Sequence, residues 1–218
     1  MNAAFTSLEI TEIFHSIQGE SSHAGRPCVF VRLTGCGLRC RYCDTTYAYS
    51  GGARMTVRQI VSDVSAFGCP LVEITGGEPL EQPGVTELIS SLLEAGLTVM
   101  LETGGHVSIR SVPREVIKVI DVKCPDSGEA GTFVTENLAL AAPHDEFKLV
   151  ISSRTDYDWS REFYEQHLAG SPHTVLFSPV HGVVAPSDLA GWILGDKLPV
   201  RLQLQLHKYV WDSRTRGI

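Results

Sequence analysis

Three cysteines, Cys36, Cys40 and Cys43, lie within eight residues in the glycine-containing segment 33–45. Clustered thiolates of this kind select iron–sulfur clusters, zinc or copper(I). A structural zinc site normally closes with a fourth Cys or His at a short spacing, and this segment offers none. An iron–sulfur cubane held by three thiolates keeps one iron free for a small molecule. The spacing favours this open cluster, with a zinc site completed by a distant ligand as the alternative.

A second segment, Gly76-Gly77-Glu78-Pro79, directly follows the next apolar run. Glycine lets the backbone approach a ligand closely, and the Glu78 carboxylate can accept a hydrogen bond from an ammonium group. By itself the segment indicates only a turn. One predicted strand and one predicted helix separate it from the cysteines, which favours a site shared by the two segments.

Seven apolar runs rich in β-branched residues predict strands, and several are nearly free of polar residues, as in parallel strands covered on both faces. The predicted strands cover residues 28–33, 71–75, 97–101, 116–122, 147–151, 174–177 and 200–206. Helical patterns between them cover residues 56–67, 85–95, 156–168 and 186–194. The first helix opens with Thr56 and Gln59 at the spacing of a capping box, and the second stops at Gly96, a residue typical of helix ends.

This alternation predicts an α/β fold built from right-handed strand–helix–strand units on a parallel sheet. The units are too few for a closed eightfold barrel, which takes ~250 residues. We therefore expect an open, partial βα barrel that forms a single domain over residues 1–218. In such a fold the chemistry gathers at the carboxyl ends of the strands, and both motifs follow predicted strands.

The composition is that of an ordinary globular protein, with 43% hydrophobic and 20% charged residues. The net charge of −7 argues against a nucleic-acid-binding protein, whose mark is a basic stripe. No run approaches the ~20 apolar residues that cross a bilayer, and the first residues lack the pattern of a signal peptide. We expect a cytoplasmic protein whose thiols stay reduced, with Cys28 and Cys69 as small core residues.

The cysteine segment resembles the C-x-x-x-C-x-Φ-C signature of the radical S-adenosylmethionine (SAM) family, with Tyr42 at Φ, and residues 76–79 resemble that family's GGEP motif. The resemblance implies a [4Fe–4S] cluster on the three cysteines, with SAM on the open iron. It implies reductive cleavage of SAM to a 5′-deoxyadenosyl radical that abstracts a substrate hydrogen. It also implies an electron donor, a flavodoxin or a ferredoxin.

Further segments, in the same order along the chain, resemble the 7-carboxy-7-deazaguanine synthase branch of that family. They are residues 14–20, 25–32, 43–46, 102–104, 121–125 and 203–208. The resemblance implies conversion of 6-carboxy-5,6,7,8-tetrahydropterin to 7-carboxy-7-deazaguanine with loss of ammonia, a step of 7-deazapurine and queuosine biosynthesis. It further implies that SAM is regenerated, that Mg²⁺ assists, and that the protein is a homodimer.

By position, the resemblance assigns Ile17, Gln18, Gly19, Arg32 and Thr75 to the substrate site. It implies that Arg32 faces the substrate carboxylate, and arginine suits planar, bidentate recognition of that group. A buried Arg32 would need a charged partner, whereas an outward one would be a surface residue. In some relatives the C-terminal carboxylate also contacts the substrate. Because this chain continues through residues 210–218, we expect its tail to pack against the barrel or a partner subunit instead.

The resemblance assigns Mg²⁺ to Thr45, whose hydroxyl could otherwise serve a turn. A single protein ligand is compatible with Mg²⁺, which keeps several waters. The residues implied to contact SAM are Tyr42, Cys43, Asp44, Gly77, Glu78, Lys123, Cys124 and Pro125. Tyr42 is implied to pack near the adenine, and the loop of Gly77 and Glu78 to hold the amino group. His207 and Lys208 stay open between solvated edge residues and site residues.

Two other functions stay open. A glycyl-radical-enzyme activase is also a short radical SAM protein with both motifs, but it needs an open groove for a protein substrate and consumes SAM. A non-catalytic electron carrier would usually ligate every iron with cysteine and would have no need of residues 76–79.

Overall fold

The structure is a computed structural model that describes residues 6–212 and 215–217. The strands are β1 (Ser7–Ile17), β2 (Pro27–Leu33), β3 (Ala53–Thr56), β4 (Leu71–Gly76), β5 (Thr98–Thr103), β6 (Ile117–Val122), β7 (Glu146–Ile151), β8 (Thr174–Pro179) and β9 (Arg201–Leu202). The helices are α1 (Val57–Ala66), α2 (Val85–Glu94), α3 (Glu136–Leu140), α4 (Arg154–His167), α5 (Pro186–Gly195) and α6 (His207–Val210). Within these residues the strands form one sheet in the order β3-β1-β2-β4-β5-β6-β7-β8-β9.

Parallel pairings join β2 and β4 to β9 in sequence order, as the alternation of strands and helices predicts. The prediction of a purely parallel sheet is wrong at one edge, where β1 pairs antiparallel with both β2 and β3. Strand β1 is half-exposed along much of its length. Polar residues interrupt its apolar pattern, so that no continuous apolar run marks it as a strand.

The predicted strand over residues 200–206 is shorter than expected, because β9 ends at Leu202. The Gln203 N–H still donates to the Phe177 carbonyl at 2.9 Å, but the Leu206 N–H donates to the Gly19 carbonyl at 2.8 Å. The chain therefore leaves the sheet after β9 and meets the loop that follows β1. Helix α6 begins at this meeting point.

Helices α1, α2, α4 and α5 lie close to their predicted positions, whereas α3 and α6 were not predicted. Thr56 caps α1, and both hydrogen bonds of the capping box with Gln59 are present. Gly96, after α2, has a left-handed φ of +79°, as a helix-ending glycine should. Helix α4 begins two residues earlier than predicted, because the Ser153 side chain accepts from the Asp156 N–H and caps the helix.

The sheet is an open, partial barrel, since β3 and β9 form edges that do not pair with each other among the described residues. Successive residues of a strand face opposite sides of the sheet. On β4, Val72 and Ile74 join the apolar core with residues of α1 and α2, whereas Glu73 and Thr75 face the barrel interior. Cys28 and Cys69 are buried in the core as predicted. In the part of the chain that the structure describes, no helix is long and apolar enough to cross a membrane.

Candidate functional site

A cavity of about 330 Å³ lies at the carboxyl ends of the parallel strands. Its wall combines interior residues of the strands, the loops that follow them and the segment before α6. The predicted site residues that line it are Ile17, Gln18, Gly19, Arg32, Cys36, Cys40, Tyr42, Cys43, Asp44, Thr45, Thr75, Gly77 and Lys123. The fold therefore brings the predicted SAM, metal and substrate residues to one space, while their individual roles stay predictions.

The three cysteine thiols are each partly exposed, and all of them line the cavity. Burial raises the pKa of the Cys36 and Cys40 thiols, so a bound metal would have to stabilise their thiolate forms. Among the described residues, no three His, Cys, Asp or Glu side chains converge as a single metal ion would require. In a cubane each thiolate binds its own iron, so the ligands stand apart. The donor set fits three irons of a [4Fe–4S] cluster and leaves the fourth iron open.

Backbone contacts join the cysteine loop to the Gly76–Pro79 loop. The Gly77 N–H donates to the Leu33 carbonyl at 3.0 Å, and the Glu78 N–H donates to the Gly35 carbonyl at 2.7 Å. A Cβ atom at Gly77 would overlap the Gly35 carbonyl oxygen and press on the Cys36 side chain. Glycine is therefore required here by the close approach of the two loops. Together these loops form a cradle of backbone groups beside the cysteines.

Glu78 points away from the cavity that its neighbour Gly77 lines. Its carboxylate is fully buried and accepts hydrogen bonds from the Thr103 hydroxyl, the Gly104 N–H and the Leu80 N–H, all at 2.7–3.0 Å. Burial raises the pKa of Glu78 even though these donors oppose the shift. At this loop, backbone groups face the cavity and the carboxylate lies behind them.

Two other predicted SAM residues also lie outside the cavity lining. The Cys124 thiol is fully buried and lies 3.3 Å from the Ser160 hydroxyl. Burial raises the pKa of this thiol to about 12, so that Cys124 has the environment of a core thiol. Pro125 begins a short 3₁₀ helix, Pro125–Ser127. Tyr42, in contrast, lines the cavity and donates its hydroxyl to the Val150 carbonyl at 3.1 Å, which fixes the ring.

The predicted magnesium residue Thr45 lies beside an anchored carboxylate. The Thr45 hydroxyl donates to Asp44 Oδ1 at 3.0 Å, and the Lys208 ammonium donates to the other oxygen of Asp44. Although burial works against it, Lys208 holds the pKa of Asp44 well below its usual range. Hydroxyl and carboxylate oxygens are suitable Mg²⁺ ligands. Lys208, which the sequence left open, is thus a cavity residue that holds Asp44 ionised.

Charged side chains that sequence reasoning missed fill the floor of the cavity. The buried Lys148 ammonium lies 2.9 Å from Glu20 and 3.3 Å from Asp121, and it also pairs with Glu102. Burial alone would lower the pKa of Lys148, but Asp121, Glu102 and Glu20 raise it well above its ordinary value. Burial raises the pKa of Glu102 despite Lys148. One cation therefore holds together carboxylates from three different parts of the chain.

Gln18 and Glu73 form a second buried contact in the floor. The Gln18 amide donates to the Glu73 carboxyl group, and its carbonyl oxygen accepts from the Glu20 N–H at 2.9 Å. Burial, and then repulsion by Glu102, raise the pKa of Glu73 well above its ordinary value. A Cβ atom at Gly19 would overlap the His207 ring, so the loop after β1 and helix α6 pack too closely for a side chain.

Arg32 is mostly buried and has the charged partner that its position requires. Its Nε atom lies 2.8 Å from Glu12 Oε1, and the Tyr47 hydroxyl donates to the same Glu12 oxygen at 2.8 Å. Phe14 stacks on Phe30 at 5.0 Å beside this group, and both rings line the cavity. The result is an apolar wall with one guanidinium group, suited to a planar ligand that carries a carboxylate.

Part of the tail also packs against the barrel. The guanidinium of Arg216 lies 4.0 Å from the centre of the Tyr47 ring, on the Arg32 side of the site. Residues 213, 214 and 218 of the tail lie outside the described residues. The tail contact therefore reaches a residue that supports the cavity wall.

Some of the missed residues were close to signals in the sequence. Glu102, Asp121 and the segment Gln205 to Lys208 fall within the segments of resemblance noted above. Glu73 precedes Thr75 by two positions and shares its face of β4. Lys148 had no such signal, because it lies inside an apolar run that reads as a strand interior.

Comparison with known proteins identifies the family. The sequence model of the Radical SAM superfamily matches residues 30–176. The chain is 46% identical to a 7-carboxy-7-deazaguanine synthase of Koribacter versatilis, over 97% of this chain and 100% of that protein. It is 49% identical to a 7-carboxy-7-deazaguanine synthase of Chlorobaculum tepidum, over 97% of each protein.

The solved structures agree at the level of the fold. QueE from Escherichia coli superposes with a TM-score of 0.77 at 20% identity, over 92% of this chain and 95% of that one. This likeness supports the open barrel and its order of strands. The family model and the two full-length relatives carry the assignment further: the chain belongs to the radical SAM superfamily and, within it, to the 7-carboxy-7-deazaguanine synthase family.

Proposed function

We propose that this protein is a radical SAM lyase that converts 6-carboxy-5,6,7,8-tetrahydropterin to 7-carboxy-7-deazaguanine with loss of ammonia, in 7-deazapurine biosynthesis. Its cofactors are a [4Fe–4S] cluster, SAM and Mg²⁺. The observation that carries the proposal is the single cavity shared by the cysteine loop, the glycine loop and a charged floor. A radical reaction needs its cofactor and its substrate in one enclosed space.

When bound on the reduced cluster, SAM supplies the radical that removes a hydrogen atom from the substrate. The protein's own contribution is to hold and orient the reacting groups. Cys36, Cys40 and Cys43 hold three irons, and Gly77 presents backbone groups to the methionine end of SAM. Tyr42, fixed by its bond to Val150, offers an aromatic face for the adenine.

The opposite wall suits the substrate. Arg32, steadied by Glu12, faces the substrate carboxylate, and Thr45 with Asp44 supplies oxygens for Mg²⁺ beside it. The aminopyrimidinone ring of a pterin carries several N–H donors, and the carboxyl groups of Glu20 and Glu102 in the floor offer acceptors for them. Both carboxyl groups already accept from Lys148. An apolar ligand would leave their remaining acceptor positions unpaired, which is costly in a buried site, so a ligand with matching N–H donors is favoured.

The reaction releases ammonia, so the cavity must hold protons at defined atoms. Lys148 stays protonated because its three carboxylate neighbours raise its pKa, and it therefore acts as a fixed positive charge. Glu73 is the opposite case, since burial and Glu102 raise its pKa and keep it protonated at higher pH than an ordinary glutamate. The floor thus combines a protonated lysine with a carboxyl group whose pKa lies well above that of an ordinary glutamate.

The proposed setting is a cytoplasmic homodimer formed by one domain over residues 1–218, reduced by a flavodoxin or a ferredoxin. The cysteine loop supports the reductant proposal, because Gly37, Arg39 and Arg41 are exposed beside the cluster ligands. Six cysteines without a disulfide among the described residues agree with a reducing compartment. The dimer rests on the family resemblance, and the single domain rests on the chain length and the number of strand–helix units.

The direct test is anaerobic turnover of the iron-reconstituted protein with dithionite, SAM, Mg²⁺ and 6-carboxytetrahydropterin, followed by mass spectrometry. We expect 7-carboxy-7-deazaguanine from the native protein and none from Cys36→Ala. 5′-Deoxyadenosine should stay below the amount of product, because SAM is regenerated. Stoichiometric SAM consumption without a deazapurine would contradict the proposal and point to an activase instead.

A further inference from the structure

A histidine outside the cavity links three loops of the site. The His106 Nε2 atom lies 2.9 Å from Glu81 Oε1, and its Nδ1 atom lies 3.6 Å from Glu78 Oε2. The same Glu81 oxygen accepts a hydrogen bond from the Gly37 N–H at 3.0 Å. We call Gly37, Glu78, Glu81 and His106 the His106 bridge. It spans the cysteine loop, the loop after β4 and the loop after β5.

The contacts of the His106 bridge are closely packed. A Cβ atom at Gly37 would overlap Glu81 Oε1, and a Cβ atom at Gly104 would come within 2.9 Å of His106 Nδ1 and 3.2 Å of Glu78 Oε2. Two glycines from different loops thus make space for the same pair of contacts. The His106 side chain is only 11% exposed, whereas its partner Glu81 is 34% exposed and their hydrogen bond lies near the surface.

The direction of the bonds follows from the chemistry of the groups. A carboxylate only accepts hydrogen bonds, so the His106 ring donates through Nε2 to Glu81. Glu81 in turn accepts from the backbone of Gly37, the residue directly after the cluster ligand Cys36. Glu78, at the other side of the ring, is anchored by Thr103 and Gly104. The imidazole therefore packs against a carboxylate anchored at the end of β5, in close contact but without a hydrogen bond, and reaches the backbone of the cysteine loop through Glu81.

We propose that His106 is a positioning residue that fixes the Cys36 end of the cysteine loop against the loop after β4, an inference that rests on the proposed function of the site. Through Glu81 it sets the Gly37 amide, and with it the approach of Cys36 to its iron. Glu78 serves this bridge with its carboxylate and SAM only with the backbone of its loop. His106 itself touches neither SAM nor substrate.

The first experiment uses the iron-free protein, so it does not depend on turnover. Hydrogen–deuterium exchange of the Gly37 amide is compared in native protein, His106→Leu and Arg110→Leu. Arg110 lies in the same loop but is exposed and pairs with Glu136, which makes it the matched control. We expect about tenfold faster exchange in His106→Leu, because that variant loses one charge-assisted hydrogen bond. Arg110→Leu should exchange at the native rate. His106→Gln, which retains an N–H donor, should restore part of the protection.

The second experiment uses the reconstituted protein, in which SAM shifts the electron paramagnetic resonance signal of the reduced cluster. His106→Leu should require about tenfold more SAM for half of the shift, with Arg110→Leu unchanged. Glu81→Ala should weaken SAM binding at least as much as His106→Leu, because it also removes the acceptor of the Gly37 N–H. The double variant should lose no more than Glu81→Ala alone, because His106 acts through Glu81.

Unchanged Gly37 exchange in His106→Leu would overturn the proposal. So would faster exchange spread evenly over the strands, since this would show a general loss of stability, as would fully additive effects in the double variant. If the protein makes no deazapurine but the exchange result holds, the proposed function fails and the bridge survives as a device for the cluster loop.

Discussion

The two sides of the cavity are held together in different ways. On the cysteine side, backbone hydrogen bonds join the loops, and Gly77 is required because a side chain would overlap the Gly35 carbonyl. On the floor, side chains from separate strands are held by ion pairs to Lys148. Backbone contacts tolerate almost any neighbouring side chain but no added Cβ atom. Ion pairs tolerate small shifts of the backbone but no change of charge.

The largest effect on SAM binding is expected when a side chain is added to the cysteine side. Gly77→Ala places a methyl group against a backbone oxygen, which no side-chain rotation can relieve, and overpacking of this kind costs about 1–3 kcal/mol. We expect the reconstituted variant to lose the SAM-induced change in the cluster spectrum. Gly191→Ala is the matched control, because a Cβ atom there meets nothing within 4 Å and Ala favours the helix. Normal SAM binding by Gly77→Ala would show that the loops can separate.

The floor should be most sensitive to the loss of its cation. Lys148→Met removes the ion pairs of Glu20 and Glu102 and leaves Asp121 paired with Lys123 alone. Breaking a buried pair in this way costs about 3–5 kcal/mol. In the native protein, burial raises the pKa of Glu20, but Lys148 and the other partners of Glu20 together outweigh burial and the pKa is lowered. For Asp121, Lys123 and Lys148 together outweigh burial and lower the pKa. Folded pKa values below the unfolded ones stabilise at neutral pH, and this contribution is lost as the pH falls. The difference in unfolding free energy between native protein and variant should therefore shrink toward acidic pH.

A second buried lysine separates stability from function. Lys118, 3% exposed, lies 3.1 Å from Asp145 and is absent from the cavity lining. Lys118→Met should lower stability in urea as Lys148→Met does, but should keep its affinity for 6-carboxytetrahydropterin. If both variants bind the pterin equally well, the floor is a structural pair and not a recognition surface.

A smaller effect is expected at Glu73, where charge is already suppressed. A carboxyl group whose folded pKa is raised, as burial and Glu102 raise that of Glu73, makes the protein less stable as the pH rises above the ordinary value of 4.5. Glu73→Gln removes this titration and keeps an acceptor for Gln18. Its urea midpoint should fall less than that of the native protein between about pH 5 and about pH 8. Glu165→Gln, at an exposed site of α4, should leave the native slope unchanged, and an equal slope in Glu73→Gln would show an ionised Glu73.

The same contrast explains what the sequence could predict. The cysteine side is encoded by contiguous residues, so Cys36, Cys40, Cys43 and Gly77 could be found by their spacing. The open barrel followed from the apolar runs, except for β1, whose half-exposed pattern is weaker, and the short β3, which has no buried residue. The sequence predicted Glu78 as a site residue but not that its carboxylate points away from the cavity. That direction depends on Thr103, which is distant in sequence but lies on the strand next to β4.

The charged floor could not be predicted from local spacing, because the residues that form its ion pairs are far apart in the sequence. Lys148 meets Glu20 across 128 residues and Glu102 across 46, and these distances close only when the strand order is known. A lysine inside an apolar run reads as an irregularity until the opposing carboxylates are placed. Ion pairs between strands depend on the register of neighbouring strands, as where Asp121 lies opposite Lys148 in the pairing of β6 and β7, and local spacing does not encode that register.

A smaller effect on substrate binding is expected at the cavity wall that holds Arg32. Burial raises the pKa of Tyr47 to about 12, so its hydroxyl stays protonated and donates to the Glu12 oxygen that also holds Arg32. Tyr47→Phe removes this single hydrogen bond, worth about 0.5–1.5 kcal/mol, and should raise KM for the pterin by up to tenfold. The SAM-induced change in the cluster spectrum should be native.

The variant Arg216→Ala distinguishes the contribution of the Tyr47 hydroxyl from that of the C-terminal tail. It removes the ring contact, worth about 0.5–1 kcal/mol at an exposed site, and keeps the bond from Tyr47 to Glu12. We expect a pterin KM close to the native value and a slightly lower melting temperature. If Arg216→Ala instead raises KM as much as Tyr47→Phe does, the tail rather than the hydroxyl holds the Arg32 wall. The substrate side would then depend on a segment that crosses it from outside the barrel, in contrast to the cysteine side, which is closed by its own backbone.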